Sequence, residues 1–149
     1  MKAVIQRTDE AEVRVGKEII SAIKQGLLIF LGIEKGDKRE DCDYLLEKTI
    51  NLRIFEDDVG KMNRSLIEVS GELLIVSQFT LLADCRKGRR PSFTQAEEPQ
   101  KAKALYDYFV EKAKQRVKKV SQGLFQEMMK VKLVNNGPVT IILDSKERR

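Results

Sequence analysis

The sequence contains no histidine, and this absence restricts the chemistry open to the chain. Histidine is the commonest general base near neutral pH, the base of Ser-His-Asp and Cys-His hydrolases, and a frequent zinc ligand. Its absence excludes those mechanisms and any His-ligated zinc site. We therefore expect any catalysis to use another proton acceptor, and we predict neither a metal nor a cofactor.

Cysteines and long apolar runs are also scarce. Cys42 and Cys85 are isolated in the sequence, so we expect two reduced, structural thiols rather than a disulfide or a metal pair. The longest apolar run, residues 27–31, is too short to span a bilayer, and the N-terminus lacks the continuous apolar segment of a secretion signal. These features predict a cytoplasmic protein without membrane association.

The composition favours a nucleic-acid partner over a nucleotide cofactor. Neither a P-loop nor a GxGxxG segment stands between a strand and a helix, which argues against an ATP or NAD enzyme. Lys and Arg outnumber Asp and Glu by 28 to 23, and the net charge of +5 favours a polyanion such as RNA. Many basic proteins bind no nucleic acid, so the clustering of the charge matters more.

Hydrophobic patterns predict one α/β domain over residues 1–149. Asp37 and Glu40 resemble a capping box that begins a first helix, and Pro99 begins a second helix that runs to about residue 116. The apolar segment 26–33 predicts a central strand covered on both faces. Further strands are expected at residues 3–7, 13–15, 19–20, 51–55, 72–80, 117–120, 129–134 and 139–143. We predict a mixed, largely antiparallel β-sheet or a partly closed barrel with two main helices.

The predicted strand 72–80 ends in Ser77, Gln78, Phe79 and Thr80, of which all but Phe79 are polar. One interpretation is a strand end whose hydroxyls satisfy neighbouring backbone groups. The other is a site in which Thr80 is a nucleophile or an orienting hydroxyl, and the N–H groups of Phe79 and Thr80 polarise a carbonyl. A nucleophilic Thr80 would lack the usual activating base.

A second cluster, Asn135-Asn136-Gly137-Pro138, separates the last two predicted strands. Such breaker residues ordinarily mark a hairpin turn. The alternative is a cis Gly137-Pro138 bond, because cis X-Pro bonds usually occur in tight turns. A cis bond would present two rigid carbonyl groups.

Cations are concentrated in the loop predicted at residues 83–94, where they either solubilise the loop or contact phosphates: Arg86, Lys87, Arg89 and Arg90. A second basic run at residues 112–119 spreads around a helix end, so a solvated face is expected there. Phe125 and Met129 are candidates for core packing or for stacking on a base. The loop is the better candidate for an RNA contact.

Taken together and in order, these segments resemble the D-aminoacyl-tRNA deacylase family. The resemblance extends from residue 1 to about residue 144, and its segments are SQFTL at 77–81, RKGRRPSF at 86–93, NxGPxT at 135–140, AVIQR at 3–7, NLRIFED at 51–57 and GKMN at 60–63. It implies a hydrolase that removes D-amino acids from aminoacylated tRNA, and glycine from glycyl-tRNA(Ala), without a metal or a cofactor. The resemblance therefore places the chain in translation quality control.

The resemblance also implies where the reaction takes place. Family members are homodimers with active sites at the subunit interface, where the cis Gly137-Pro138 motif faces the SQFT segment of the second subunit. The paired carbonyls of the motif hold the substrate's amino group and leave no room for an L side chain. By the same resemblance, Arg7 holds the Gly-Pro segment in its orientation.

Catalysis without an acid–base side chain is a further implication of the resemblance. The ribose hydroxyl next to the ester assists water, the N–H groups of Phe79 and Thr80 stabilise the oxyanion, and Gln78 and Thr80 position the substrate. Phe125 and Met129 correspond to residues of the adenosine pocket in a GxFGAxM segment. The chain departs from that segment at Gln126 and Glu127, where the family usually has Gly-Ala. It also carries Asn136 in place of a frequent Asp.

Overall fold

A computed structural model of the chain describes residues 1–148. Its two main helices agree with the predicted ones to within about two residues at each end, apart from the capping residues discussed below. The elements are β1 (Lys2–Val15), β2 (Glu18–Ile23), β3 (Gly26–Gly32), α1 (Arg39–Asn51), β4 (Phe55–Glu56), β5 (Met62–Arg64), β6 (Glu72–Ser77), a short 3-10 turn (Phe79–Leu82), α2 (Pro99–Lys114), β7 (Val120–Gln122), β8 (Lys130–Asp144) and a second 3-10 turn (Ser145–Glu147).

The strands form a mixed six-stranded sheet and a separate two-stranded ribbon of β4 and β5. The main sheet has the order β2-β1-β3-β6-β7, and β8 pairs with β1 along the edge opposite β2 and β3. All pairings of β1 are antiparallel, whereas β3–β6 and β6–β7 are parallel. Because β2 also approaches β6 and β7, the sheet closes partly into a barrel. The predicted α/β architecture is confirmed.

Two hydrophobic clusters lie on opposite faces of this sheet. The larger joins α1 and α2 to the sheet and includes Leu45, Phe109 and Ile29, and the smaller includes Val13, Ile23, Leu28, Leu74 and Val76. Leu27, Leu28 and Ile29 are all fully buried, because successive side chains of β3 point to opposite faces and both faces are covered. The prediction of a central strand from its continuous apolar run is confirmed.

The start of α1 differs from the predicted capping box. The carboxylate of Asp41, rather than that of Glu40, accepts the backbone N–H of Lys38 at 2.8 Å. Asp37 instead accepts the α-ammonium group of Met1 at 2.7 Å and the N–H of Glu34 at 2.6 Å. Pairing with a charged amino group therefore displaces the cap by one residue. No helix within residues 1–148 combines the length and the apolar character needed to cross a bilayer.

The predicted strands 3–7 and 13–15 form one continuous strand, β1, because both segments pair along the length of β8. Three further predicted strands have bounds that differ from those observed. The segment 51–55 is wrong as a strand, because α1 continues through Asn51 and only Phe55–Glu56 pairs with β5. The strand predicted at 72–80 ends at Ser77, where the chain turns into the 3-10 turn. The strand predicted at 117–120 begins only at Val120, where pairing with β6 begins. Pairing partners, which local patterns do not specify, set these boundaries.

The last two predicted strands form one long strand, β8, and the hairpin interpretation of residues 135–138 is wrong. Residues 130–134 pair with residues 10–14 of β1, and residues 140–144 pair with residues 2–6 of the same strand. A hairpin would fold the two halves onto each other. Here both halves pair in succession with β1, so the chain direction is maintained across the breaker residues.

The two cysteines are free, but they occupy different environments. Cys42 is buried between the helices, and burial raises the pKa of its thiol to about 12. That setting agrees with the predicted structural role. Cys85 is exposed in the loop before α2, so the prediction of a structural thiol is wrong at this position.

Candidate active site at the Gly137-Pro138 bulge

The segment around Gly137 and Pro138 bulges out of β8 and is exposed to solvent. Asn135 pairs with Thr8 and Thr140 pairs with Gln6, so residues 136–139 lie opposite a single residue of β1. Such a surplus on one strand pushes the extra residues out of the sheet. The Gly137–Pro138 peptide bond is cis, as the resemblance implies.

Gly137 has a backbone conformation and surroundings that only glycine accommodates. Its φ of +127° lies in a region that residues with a side chain rarely adopt. A Cβ atom at this position would lie 2.8 Å from Cγ2 of Val139 and 3.1 Å from Nη2 of Arg7. A side chain here would therefore shift the bulge against the residues that hold it.

Arg7 supports the bulge from beneath and is 8% exposed. Its Nε donates to the backbone carbonyl of Asn136 at 3.1 Å, and its Nη1 donates to the carbonyl of Ile54 at 2.7 Å. Neither partner is a carboxylate. Because a buried guanidinium held by carbonyl groups loses its hydration without gaining an opposite charge, the geometry favours a positional role for Arg7.

Asn135, before the bulge, and Asn136, its first residue, make side-chain hydrogen bonds that hold it. Asn135 accepts the N–H of Val139 at 3.0 Å through Oδ1 and donates to the hydroxyl of Thr140 at 2.9 Å. Asn136 donates to the carboxylate of Asp9 at 2.6 Å. Both polar ends of the Asn135 amide are engaged, so the backbone of residues 135–140 is closed into a fixed loop.

The Ser77 to Thr80 segment lies at the carboxyl end of β6. The N–H of Gln78 donates to Leu31 at 2.8 Å, which completes the pairing with β3. Phe79 and Thr80 begin the 3-10 turn and are exposed, and within residues 1–148 neither of their N–H groups donates a hydrogen bond. The side-chain amide of Gln78 donates to the hydroxyl of Thr80. Two N–H groups without a partner in the chain as described therefore belong to exposed residues beside a tethered hydroxyl.

The bulge and the Ser77 to Thr80 segment are far apart within one chain. Ser77 pairs with Leu31 and, through β3, lies level with Ala3, whereas the bulge lies level with Arg7. Three strand spacings and four residues along a strand amount to about 20 Å. One chain therefore does not bring these two groups of site residues together.

Phe125 and Met129 lie between the core and solvent. Phe125 packs against the larger hydrophobic cluster and its ring tilts against Tyr106 at 5.7 Å, while Met129 packs against the smaller cluster. A Cβ on Gly123 would lie 2.7 Å from Sδ of Met129, so glycine makes room for that side chain. Both the packing and the pocket interpretation remain compatible with half-buried side chains.

Gln126 has a φ of +62° although it is not glycine. The left-handed region is costly for a residue with a Cβ and is typically occupied by glycine. This is the position where the resemblance indicates a usual glycine. Gln126 therefore adopts a turn conformation that suits glycine better.

The basic loop, residues 85–91, is closed at its base by backbone bonds between Asp84 and Ser92 of 2.7 and 3.0 Å. Arg86 is tied to the carboxylate of Asp84 through Nε at 2.8 Å and Nη2 at 2.7 Å. The Arg86 guanidinium holds the pKa of Asp84 well below its usual range. The remaining cations are exposed, and the ion pairs within residues 1–148 do not include them: Lys87, Arg89 and Arg90.

The sequence did not indicate every residue that shapes this region. Ile54 anchors Arg7 beneath the bulge, and Phe93 contacts Phe79, with ring centroids 5.1 Å apart. The RKGRRPSF segment includes Phe93, but its pattern alone does not reveal a contact across the loop. Tyr106, which supports Phe125, was likewise hidden among the apolar positions of a helix.

Comparisons with known proteins agree over almost the whole chain. Residues 4–144 match the family model for D-Tyr-tRNA(Tyr) deacylase. A D-aminoacyl-tRNA deacylase of Syntrophus aciditrophicus (strain SB) is 63% identical over 146 residues, or 98% of each chain. One of Kosmotoga olearia (strain ATCC BAA-1733 / DSM 21960 / TBF 19.5.1) is 57% identical over 148 residues, or 99% of each chain.

A solved structure shares the fold of this chain. The protein described as c-Myc DNA Unwinding Element Binding Protein is 40% identical to this chain, with a TM-score of 0.92. The alignment covers 97% of this chain and 98% of that one. The fold, the family match and the identity over full-length relatives together show that this chain belongs to the D-Tyr-tRNA(Tyr) deacylase family.

Proposed function

We propose that this chain is a D-aminoacyl-tRNA deacylase, which hydrolyses the ester between a D-amino acid and the terminal adenosine of tRNA. Glycyl-tRNA(Ala) is proposed as a second substrate, because a site that excludes L side chains accepts a residue without one. The reaction releases the free amino acid and tRNA in the cytoplasm. It removes amino acids that were attached to tRNA in error.

The observation that carries this proposal is the rigid main chain at Gly137. Arg7, Asn135 and Asn136 hold the bulge through backbone and side-chain bonds, and Gly137 leaves no space for a Cβ. A fixed main chain that is exposed to solvent can hold the amino group of a substrate through its carbonyls. It can also exclude one of the two chiral side-chain directions by steric contact.

The proposed chemistry does not need a titrating side chain. Water adds to the ester carbonyl, the tetrahedral oxyanion accepts hydrogen bonds from the N–H groups of Phe79 and Thr80, and the ribose oxygen leaves as a hydroxyl. The neighbouring ribose hydroxyl assists the attack of water. Because the ester is already activated, orientation and oxyanion stabilisation are sufficient roles for the protein.

We further propose that two chains form each active site in a homodimer. The distance of about 20 Å between the bulge and the Ser77 to Thr80 segment supports this arrangement, because a second chain can supply the missing half. Within residues 1–148 the outer edge of β8 is unpaired, and Ile142 on this strand is 72% exposed. Free edges and exposed apolar side chains are typical of contact surfaces.

The substrate tRNA is proposed to contact the basic loop. The basic loop follows the Ser77 to Thr80 segment in the chain, and three of its cations are exposed: Lys87, Arg89 and Arg90. Their charge is available to phosphate groups because Arg86 alone is engaged by Asp84. Phe125 and Met129 are proposed to line the pocket for the terminal adenosine.

A time course of amino-acid release from D- and L-aminoacyl-tRNA tests the function. We expect rapid release of the D-amino acid and release of the L-amino acid at the rate without enzyme. Binding of both tRNAs without faster release would instead indicate an RNA-binding module. A Thr80→Ala variant that stays active excludes a covalent acyl-Thr80 intermediate, whereas a trapped acyl-Thr80 species would contradict the proposed mechanism.

Mixing two inactive variants tests the shared site. Gly137→Ala removes the bulge geometry and Phe79→Pro removes a donor, so neither homodimer is active. Equal mixing after unfolding and refolding should restore about a quarter of the wild-type activity, because half of the dimers then contain one intact site. No recovery, despite mixed dimers in native mass spectra, would contradict a site made by two chains.

A further inference from the structure

Phe79 and Phe93 form an aromatic pair outside the hydrophobic core. Their ring centroids are 5.1 Å apart and their planes meet at 68°, an edge-to-face contact. Phe79 is 58% exposed and Phe93 is 37% exposed. Among residues 1–148 neither ring belongs to the two hydrophobic clusters. Each ring therefore takes its orientation largely from the other.

Phe93 is fixed at the junction of the basic loop with the rest of the fold. On one side, the Asp84–Ser92 backbone pair closes the base of the loop. On the other side, Ala96 donates to the carbonyl of Phe93 at 3.0 Å and pairs with Glu34. The backbone of Phe93 is thus held between two anchors, and its ring is directed to Phe79.

Phe79 is attached to the proposed oxyanion donors. It contributes one of the two free N–H groups, and it begins the turn that contributes the other. The backbone angles of a residue restrict the rotamers of its side chain, so a contact that fixes the ring of Phe79 also favours one set of backbone angles at Phe79. The aromatic contact therefore links the basic loop to the N–H groups of Phe79 and Thr80.

We propose that Phe93 is a positioning residue that aligns Phe79 and so couples the basic loop to the oxyanion donors. This inference rests on the proposed deacylase function and extends it to a residue outside the Ser77 to Thr80 segment. Phosphate contacts made by the loop would then increase kcat as well as affinity. Phe93 itself is not required to touch the substrate.

Kinetic constants of Phe93 variants test this proposal. We expect Phe93→Ala to lower kcat for D-aminoacyl-tRNA about tenfold while KM changes less than about twofold. The variant misaligns the oxyanion donors but leaves the tRNA-binding surface unchanged. Phe93→Tyr retains an aromatic edge and should restore kcat, whereas Phe93→Leu should not. Ile67→Ala, at a side chain of similar exposure (39%), is the control and should leave kcat unchanged.

A double variant separates positioning from a general structural effect. On a Phe79→Ala background, Phe93→Ala should have no further effect on kcat, because the contact is already lost. Equal effects of Phe93→Ala on both backgrounds would overturn the proposal. A variant that raises KM alone would also overturn it, because that result indicates direct contact between Phe93 and RNA.

Amide NMR shifts distinguish this inference from the proposed function. In Phe93→Leu we expect the amide signals of Phe79 and Thr80 to shift, and in Ile67→Ala we expect them not to. If the wild type releases no D-amino acid while these signals shift, the deacylase function fails and the contact remains. If the wild type is active and neither kcat nor the signals change in Phe93→Leu, only the role of Phe93 fails.

Discussion

Arg7 contacts Asn136 at two points, through Nε to the backbone carbonyl at 3.1 Å and through Nη2 to the side-chain Oδ1 at 3.3 Å. A third donor, Nη1, reaches the carbonyl of Ile54. One planar guanidinium thus ties the bulge of β8 to the chain that follows α1. The position of Gly137 therefore depends on how β1, β8 and the chain after α1 pack together.

Replacing Arg7 by lysine should loosen the bulge. One ammonium group cannot reproduce the fork, so at least one buried carbonyl loses its partner, at about 1–3 kcal/mol of unfolding free energy. We expect a lower urea midpoint and a lower kcat. Arg53 makes the same two-point contact with Asn63 at the surface, so Arg53→Lys is a matched control and should cost less than about 0.5 kcal/mol. Equal losses in both variants would contradict the role of Arg7.

Gly137→Ala should reduce the release of D-amino acids by about 100-fold or more, because a displaced main chain no longer orients the substrate. The added methyl group meets Val139 and Arg7, and the φ of +127° disfavours it. Gly16→Ala is the control, since Gly16 also has a positive φ but has open space around it. Full activity in Gly137→Ala would argue strongly against selection by the main chain.

Phe79→Pro and Phe79→Ala together isolate the contribution of one N–H group. Both remove the ring, but only proline also removes the donor. The first position of a helical turn tolerates proline because its N–H has no partner within the turn. We expect Phe79→Pro to be about 100-fold slower in kcat than Phe79→Ala. Equal kcat values would show that this N–H does not stabilise the oxyanion.

The salt dependence of tRNA binding should distinguish the four loop cations. The logarithm of the tRNA association constant falls as the logarithm of the salt concentration rises. Three single variants should each reduce the magnitude of this slope by about 0.7–0.9: Lys87→Ala, Arg89→Ala and Arg90→Ala. The Asp84→Ala/Arg86→Ala double variant should lower it less, because it removes a pair in which the guanidinium is already neutralised and leaves no unpaired carboxylate. A titration of labelled tRNA at several NaCl concentrations measures these slopes. A slope for this double variant equal to those of the three single variants would contradict this division.

Gln126→Gly should stabilise the protein. The φ of +62° is unfavourable for glutamine by about 1 kcal/mol, and the greater freedom of glycine in the unfolded chain offsets part of the gain. We expect a small rise in melting temperature with unchanged kcat. A lower melting temperature would show that the glutamine side chain makes a compensating contact.

Local sequence patterns predicted most of the helices and strands. They failed where a partner distant in the sequence sets the boundary of an element. The apolar run of β3 and the Pro99 start of α2 were identified because each depends on neighbouring residues. The capping residue of α1 was missed because Asp37 pairs with Met1, which is 36 positions away. The continuity of β8 was missed because breaker residues resemble a turn whenever the pairing strand is unknown.

The candidate site shows the same division. The family resemblance identified Gly137, Pro138, Arg7 and the Ser77 to Thr80 segment as site residues. The structure shows the hydrogen bonds that hold the first three in place. It also adds Ile54 as the anchor of Arg7 and Phe93 as a neighbour of Phe79. The roles of Phe125, Met129 and the loop cations are predictions from the resemblance.

The sequence by itself determined the chemistry that is excluded, through its missing histidine, and the positions of most strands and helices, through hydrophobic periods that act over a few residues. The tertiary structure decided how Gly137 is held. Arg7 meets Ile54 and Asn136, which are 47 and 129 positions away, because strand register and helix packing bring them together. Local periodicity does not encode such distances, since they arise only when β1, β8 and the chain after α1 are packed at once.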